Sequence, residues 1–222
     1  MSDFLYPFID AEERDPGPLL TDLAESAQAK AAESARLREA TLGEVAEQIT
    51  ACAAAMAERF SGGGRLYAFG NGGSSTDCAT FATLFAAPPG ASAHGGRRPL
   101  PALNLTADQA VVTALGNDVG FDLIFSRQII AHSSERDIAV AFSTSGNSSD
   151  LMTALAEAHR RGLLTVGFAG YDGGEMARSD AVDHCFTVRS QSVHRIQESQ
   201  ALVGYQLWLA TQEALPVVRS TA

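Results

Sequence analysis

The feature that most constrains this chain is an alternation that begins near residue 65. Short apolar runs at 65–69, 102–105, 137–142, 164–169 and 185–188 are separated by segments of helical spacing at 76–85, 109–115, 121–131, 151–161 and 192–213. A run of four to six apolar residues between turn signals suits a strand buried on both faces, and strands interleaved with helices are joined by crossovers. The pattern predicts an α/β fold of three layers, a doubly wound parallel five-stranded sheet with helices on both faces. In such sheets, ligands bind beyond the carboxyl ends of the strands.

Ahead of the alternation, residues 19–60 are rich in Ala, Glu, Leu and Arg, with no proline and a single glycine, Gly43. Leu19, Leu23 and Ala27, then Leu37, Thr41, Val45, Ile49, Cys52 and Met56, recur at helical spacing. This region reads as two helices, or as one long helix broken near Gly43. Its Ala-rich faces suit close packing on the domain or on a partner subunit. Residues 1–18, with Pro7, Pro16 and Pro18, read as an irregular lead-in. Residues 19–215 are expected to form a single domain, and 216–222 a frayed tail. The glycine-bearing stretch 88–99 reads as a mobile loop between the first two strands.

Composition narrows the function classes. A chain of 222 residues that is 45% hydrophobic can build one large core. Its formal net charge of −10 argues against a nucleic-acid partner, which requires a basic stripe. Cys52, Cys78 and Cys185 form no CxxC pair and point to reduced thiols in a cytoplasmic protein. There is no signal-peptide pattern and no apolar run near the roughly 20 residues that span a bilayer, so no membrane partner is expected.

The third apolar run ends in Ser143-Thr144-Ser145-Gly146-Asn147-Ser148-Ser149-Asp150, immediately before a helical pattern. Hydroxyls and backbone N–H groups gathered at a helix N-terminus make a pocket for a phosphate. The alternative is an ordinary turn in which Ser148 or Ser149 caps the helix. The first run ends similarly, in Gly70-Asn71-Gly72-Gly73-Ser74-Ser75-Thr76-Asp77. Its glycines allow close backbone approach, although a GxGxxG dinucleotide fingerprint is absent. Two such loops on one sheet support each other. Asp108, after the second run, suits either a helix cap or a sugar hydroxyl. At the start of the last helix, His194-Arg195-Ile196-Gln197-Glu198 places Gln197 toward a cleft. Glu198 is either an acid–base group, if desolvated, or a solvated glutamate favoured by the helix dipole.

These residues together resemble the sugar isomerase (SIS) domain proteins, and among them the phosphoheptose isomerases. The resemblance covers about residues 20–213 and rests on Gly70-Asn71-Gly72-Gly73-Ser74, Gly116-Asn117-Asp118, Phe125-Ser126-Arg127, Ser143 to Ser148, Asp172-Gly173-Gly174 and Arg195-Ile196-Gln197-Glu198. It implies phosphate binding by Ser74, Ser143, Thr144, Ser145 and Ser148, and sugar contacts from Asn71, Gly72, Asp108 and Gln197. It also implies a homo-oligomer, usually a tetramer, with N-terminal helices between subunits.

Departures from the family pattern fall on its reacting residues. The family's histidine and glutamate on the helix after the first loop are here Thr80 and Leu84, and the histidines after Arg-Ile-Gln-Glu are here Gln200 and Tyr205. Of the metal-binding set only Gln197 survives, and one amide is not a zinc site; no metal and no other cofactor are expected. Three functions remain open. The chain could be a sugar-phosphate isomerase with a relocated base, for which Glu198, His194, His184 and Tyr205 are available. It could instead be a non-catalytic protein that binds a sugar phosphate and acts on another protein. Or it could be the partner subunit of an active paralogue.

Overall fold

The computed structural model describes residues 17–90 and 96–216. The expected lead-in lies outside these residues except for Gly17 and Pro18, which already belong to a helix, and residues 217–222 of the expected tail also lie outside. Of the loop expected over 88–99, residues 91–95 are likewise outside the description. The chain divides between Arg36 and Leu37 into two compact units. In the first, the described residues are helical and nearly all exposed.

Helix α1 runs unbroken over Gly17–Ser61, 45 residues. The break expected near Gly43 does not occur. Gly43 is exposed, and a Cβ there would meet nothing within 4 Å, so nothing competes with helical geometry at that point. One glycine costs a helix only about 1 kcal/mol, too little to interrupt so long a run. Within the second unit, Val45, Ile49, Cys52, Met56 and Phe60 of α1 are buried in the core, as their spacing predicts.

The alternation gives β1 (Leu66–Gly70), α2 (Gly73–Ala86), β2 (Ala102–Asn104), α3 (Gln109–Asp118), α4 (Ile124–His132) after a 3-10 turn at Phe121–Leu123, β3 (Ile138–Phe142), α5 (Ser149–Arg160), β4 (Leu164–Gly170), β5 (His184–Val188) and α6 (Val193–Ala214). The strands form one parallel sheet in the order β2-β1-β3-β4-β5. Residues alternate between the two faces at period two. Leu66 and Ala68, with Ile138, Val140 and Phe142, join α1, α2 and α6 in one core; Tyr67 and Phe69, with Ala139 and Ala141, join α4 and α5 in the other. The expected three-layer sheet is the observed one.

An aromatic ladder ties the first core together. Register places Phe142 beside Phe168 and Phe168 beside Phe186 on adjacent strands. The Phe142 and Phe168 rings stack at 4.2 Å, and Phe186 follows at 5.2 Å from Phe168. Phe81 of α2 meets Phe142 and Phe168 edge-on. Phe81 in turn packs where Gly204 of α6 leaves room. At the amino ends of the strands, the buried Asp137 carboxylate accepts the backbone N–H groups of Arg65 and Ser134, each at 2.7 Å.

Because β1 lies between β2 and β3, the crossovers leaving β1 and β3 turn to opposite faces. The carboxyl ends of those strands therefore open a crevice at the switch point. Phe168→Ala should destabilise the protein by about 3–5 kcal/mol, since it removes a fully buried ring stacked on Phe142 and packed at a tilt on Phe186. Urea unfolding measures this, and a loss below about 1 kcal/mol would mean the ladder does not organise the core.

Candidate functional site

The two loops singled out in the sequence leave the two strands that border the switch point. They are joined by one contact. The Asn71 amide nitrogen, just past β1, donates to both carboxylate oxygens of Asp150, at 3.0 and 2.9 Å. Asp150 lies in the first turn of α5 and is only 3% exposed. Burial raises its carboxyl above the ordinary value of 3.8, and the Asn71 hydrogen bond pulls it partly back.

The loop after β3 is built from its own hydroxyls. Ser143 extends the β3–β4 ladder, its N–H donating to the Phe168 carbonyl at 2.9 Å. Its Oγ accepts the Gly146 N–H at 2.9 Å, and Ser145 Oγ accepts the Asn147 N–H at 3.2 Å. Gly146 has φ +67, and a Cβ there would overlap the Gly173 carbonyl, so this turn requires glycine. A second brace comes from the Glu175 N–H donating to Asn147 Oδ1 at 2.8 Å, which accounts for the nearby Asp172-Gly173-Gly174 signal. Ser148 occupies the N-cap of α5 but makes no side-chain capping bond, and Ser149 instead donates to Asp122 at 2.6 Å. The capping alternative for these serines is thus not realised, and the Ser148 hydroxyl is left at a 12-residue helix's positive end.

The loop after β1 reaches α2 through Gly72, which is exposed with φ +54 and makes no side-chain cap. Ser74 is buried, its N–H on the Asn71 carbonyl at 3.0 Å. Ser75 Oγ and Thr106 Oγ1 lie 2.7 Å apart, which brings the segment after β2 to the same edge of the sheet. There, Asp108 accepts the Ala110 and Val111 N–H groups at 3.0 and 3.1 Å and so caps α3, the first of the two readings open to it.

Helix α6 closes the other side. Gln200 Nε2 donates to the Ser143 carbonyl at 2.9 Å, so the residue at the family's histidine position props the third-strand loop from below. Gln197 Nε2 donates to Asp77 Oδ2 at 3.3 Å and lies against Gly73, where any Cβ would overlap it. Burial raises the Asp77 carboxyl above its ordinary value, and the bond from Gln197 lowers it in part. Asp77 and Asp150 were not singled out in the sequence. The signal was an aspartate closing each hydroxyl-rich helix start, which resembles an ordinary first-turn acid.

Glu198 and His194 are both exposed on the described chain, so the desolvation that would suit Glu198 to acid–base work is not provided within it. His184 begins β5, at the amino edge of the sheet and opposite the two loops, so it is not available to this site. Tyr205 is exposed at the rim, its ring 5.3 Å from that of Trp208. Arg97 lies over the Trp208 ring at 4.7 Å, and Arg98 pairs through its backbone with Gln212. Both arginines therefore pack on the distal half of α6, about three turns beyond Gln197 for Arg97 and about four for Arg98.

The metal implied by the resemblance does not fit these donors. Leu84 offers no ligand atom, and the Thr80 hydroxyl donates to the Thr76 carbonyl at 3.1 Å. Among the described residues no three His, Cys, Asp or Glu side chains gather as a metal would need.

Comparison with known proteins agrees with this geometry. The SIS domain profile matches residues 31–170. The chain is 43% identical to the phosphoheptose isomerase of Geobacter sulfurreducens over 165 residues, 74% of this chain and 84% of that one. It is 38% identical to the phosphoheptose isomerase of Aquifex aeolicus over 181 residues, 82% and 92% of the two chains. The solved phosphoheptose isomerase of Neisseria gonorrhoeae superposes with a TM-score of 0.76 at 32% identity, covering 86% of this chain and 99% of that one.

Two substitutions test the clasp. Asn71→Ala removes both side-chain hydrogen bonds to a buried carboxylate and leaves it only backbone N–H partners, so a loss of about 1–3 kcal/mol is expected by urea unfolding. Asp150→Asn tests the carboxyl itself. A folded-state value above the unfolded one means that stability is lost as pH rises from the unfolded value through the folded one. The melting temperature of Asp150→Asn relative to the parent should therefore climb as pH rises out of the ordinary carboxylate range, then level off. A difference independent of pH would contradict the assignment.

Proposed function

The chain belongs to the SIS-domain family, on the phosphoheptose isomerase side of it, and from that membership we propose that it binds a sugar phosphate in the switch-point crevice. In this reading the phosphate sits at the α5 N-terminus, held by Ser143, Thr144, Ser145 and Ser148, with Ser74 contributing from the α2 side. Asn71, Gly72 and Gln197 border the sugar, as does Asp108, whose capping bonds use one carboxylate oxygen and leave the other for a hydroxyl. The observation that carries the reading is Ser148: an N-cap hydroxyl with no capping bond, inside a loop whose backbone is organised by the Ser143 and Ser145 hydroxyls. An anion at that position would accept this hydroxyl together with N–H groups at the positive end of the helix.

The reaction class that fits the relatives is ketose–aldose isomerisation of a sugar phosphate, here without a bound metal. A second reading, a non-catalytic sugar-phosphate sensor or a partner for an active paralogue, is favoured by Thr80, Leu84 and Tyr205 at the family's reacting positions and by the exposure of Glu198 and His194. A homo-oligomer is part of the proposal, and Leu19, Leu20 and Leu23, all exposed on α1, are available to form it. Free Cys52, Cys78 and Cys185 and a charged phosphate-ester ligand suit a cytoplasmic setting.

Ser148→Ala should weaken sugar-phosphate binding about tenfold, as loss of one hydrogen bond to a charged group predicts, with little change in stability because no cap is lost. Calorimetric titration with sedoheptulose 7-phosphate, alongside thermal unfolding, checks both halves. Equal affinity for sedoheptulose 7-phosphate and unphosphorylated sedoheptulose would remove the phosphate cradle. Elemental analysis of chelator-treated protein should find no stoichiometric zinc, and equimolar zinc would overturn the metal-free assignment.

A further inference from the structure

Asp77 has a position that phosphate binding leaves unexplained. It lies three residues after Ser74 on α2, so both side chains project from nearly the same face of one helical turn. Its carboxylate is half-buried, and among the described residues one hydrogen bond reaches it, from Gln197 of α6. That amide occupies the space that a Cβ on Gly73 would need, so glycine at that position lets it reach Asp77. One carboxylate oxygen and the second Gln197 N–H are left for a ligand. The ionisable residues next to the pair in sequence are Cys78 beside Asp77 on α2, whose buried thiol is pushed well up, and His194, Arg195 and Glu198 beside Gln197 on α6. No lysine or arginine on α2 neutralises Asp77.

We infer that Asp77 is the proton-transfer group of this chain, with Gln197 as the donor that stabilises the developing oxyanion, in place of the residues lost at Thr80, Leu84 and Tyr205. The inference rests on the sugar phosphate being bound in the crevice. In the step, a carboxylate oxygen of Asp77 takes the proton from the carbon next to the sugar carbonyl. The C–H electron pair becomes the C=C bond of an enediolate, and the carbonyl pair moves onto its oxygen, which accepts the second Gln197 N–H. After a proton shifts between the two sugar oxygens, the Asp77 carboxylic acid returns its proton to the former carbonyl carbon, and the new C=O bond forms at the carbon that was first deprotonated. Nothing is oxidised and no co-reactant is consumed. A half-buried carboxylate suits this because partial loss of hydration makes it a stronger base, while an amide supplies an N–H without carrying charge.

The test is deuterium wash-in to sedoheptulose 7-phosphate in D2O with chelator present, followed by proton NMR, with affinity measured in parallel by calorimetry. The full chain should exchange the proton at the carbon beside the carbonyl. Asp77→Asn keeps an acceptor for Gln197 but loses the base, so exchange should fall about 10²–10⁴-fold with the dissociation constant changed less than about threefold. Asp77→Ala should be equally slow and be partly restored by added formate, a response that a merely structural role for Asp77 would not give. Exchange by Asp77→Asn at the parental rate overturns the inference. So does binding by the parent chain with no exchange, an outcome that leaves the binding proposal standing. Absence of binding removes both.

Discussion

The site depends on the contact between Asn71 and Asp150. A parallel sheet in the order 2-1-3-4-5 opens a crevice between the ends of β1 and β3, but topology alone leaves the two loops at its mouth independent. The Asn71 amide spans the gap and meets both oxygens of a buried carboxylate 79 residues away in sequence. A buried carboxylate is costly unless hydrogen-bonded, so this pair strongly favours one separation of the loops. The same separation sets where a ligand could touch Ser148 on one side and Ser74 on the other.

Other contacts extend that constraint outward. Gln200 fixes the height of the β3 loop through the Ser143 carbonyl, and Gln197 fixes the near end of α6 against Gly73 and Asp77. Below them, the Phe142–Phe168–Phe186 ladder and Phe81 hold α2 and the sheet in one packed layer. A change in that layer would move both helices that carry Gln197 and Asp77. The two loops proposed to hold the anion are thus braced by hydrogen bonds and flanked by packed helices, an arrangement that favours preorganised binding.

Much of this was legible in the sequence, for identifiable reasons. Each strand is a short apolar run with turn residues at its ends, and no observed strand bound differs from the expected one by more than one residue. The phosphate loops were legible because their hydroxyls are clustered in sequence. What the sequence hid were pairings across long separations. Asp77 finds Gln197 at a distance of 120 residues, and Asp150 finds Asn71 at 79. Each aspartate, read locally, is only an acidic residue in an early helical turn. Asp108 shows the reverse, since its capping role is local and was one of two readings available. The break expected at Gly43 failed because glycine weakens a helix only slightly where no tertiary contact exploits it.

The departures at Thr80, Leu84 and Tyr205 separate what the chain binds from how it acts. In the proposed reading the phosphate is held by loop hydroxyls and a helix terminus, which lie apart from those three positions. The reacting end of the sugar would face Asp77 and Gln197 instead of a metal. A crystal structure with sedoheptulose 7-phosphate tests this arrangement most directly. The account predicts the phosphate within hydrogen-bonding distance of Ser148 and the α5 N–H groups, and the first two sugar carbons beside Asp77 and Gln197. A phosphate bound elsewhere, or those carbons turned away from Asp77, would contradict it.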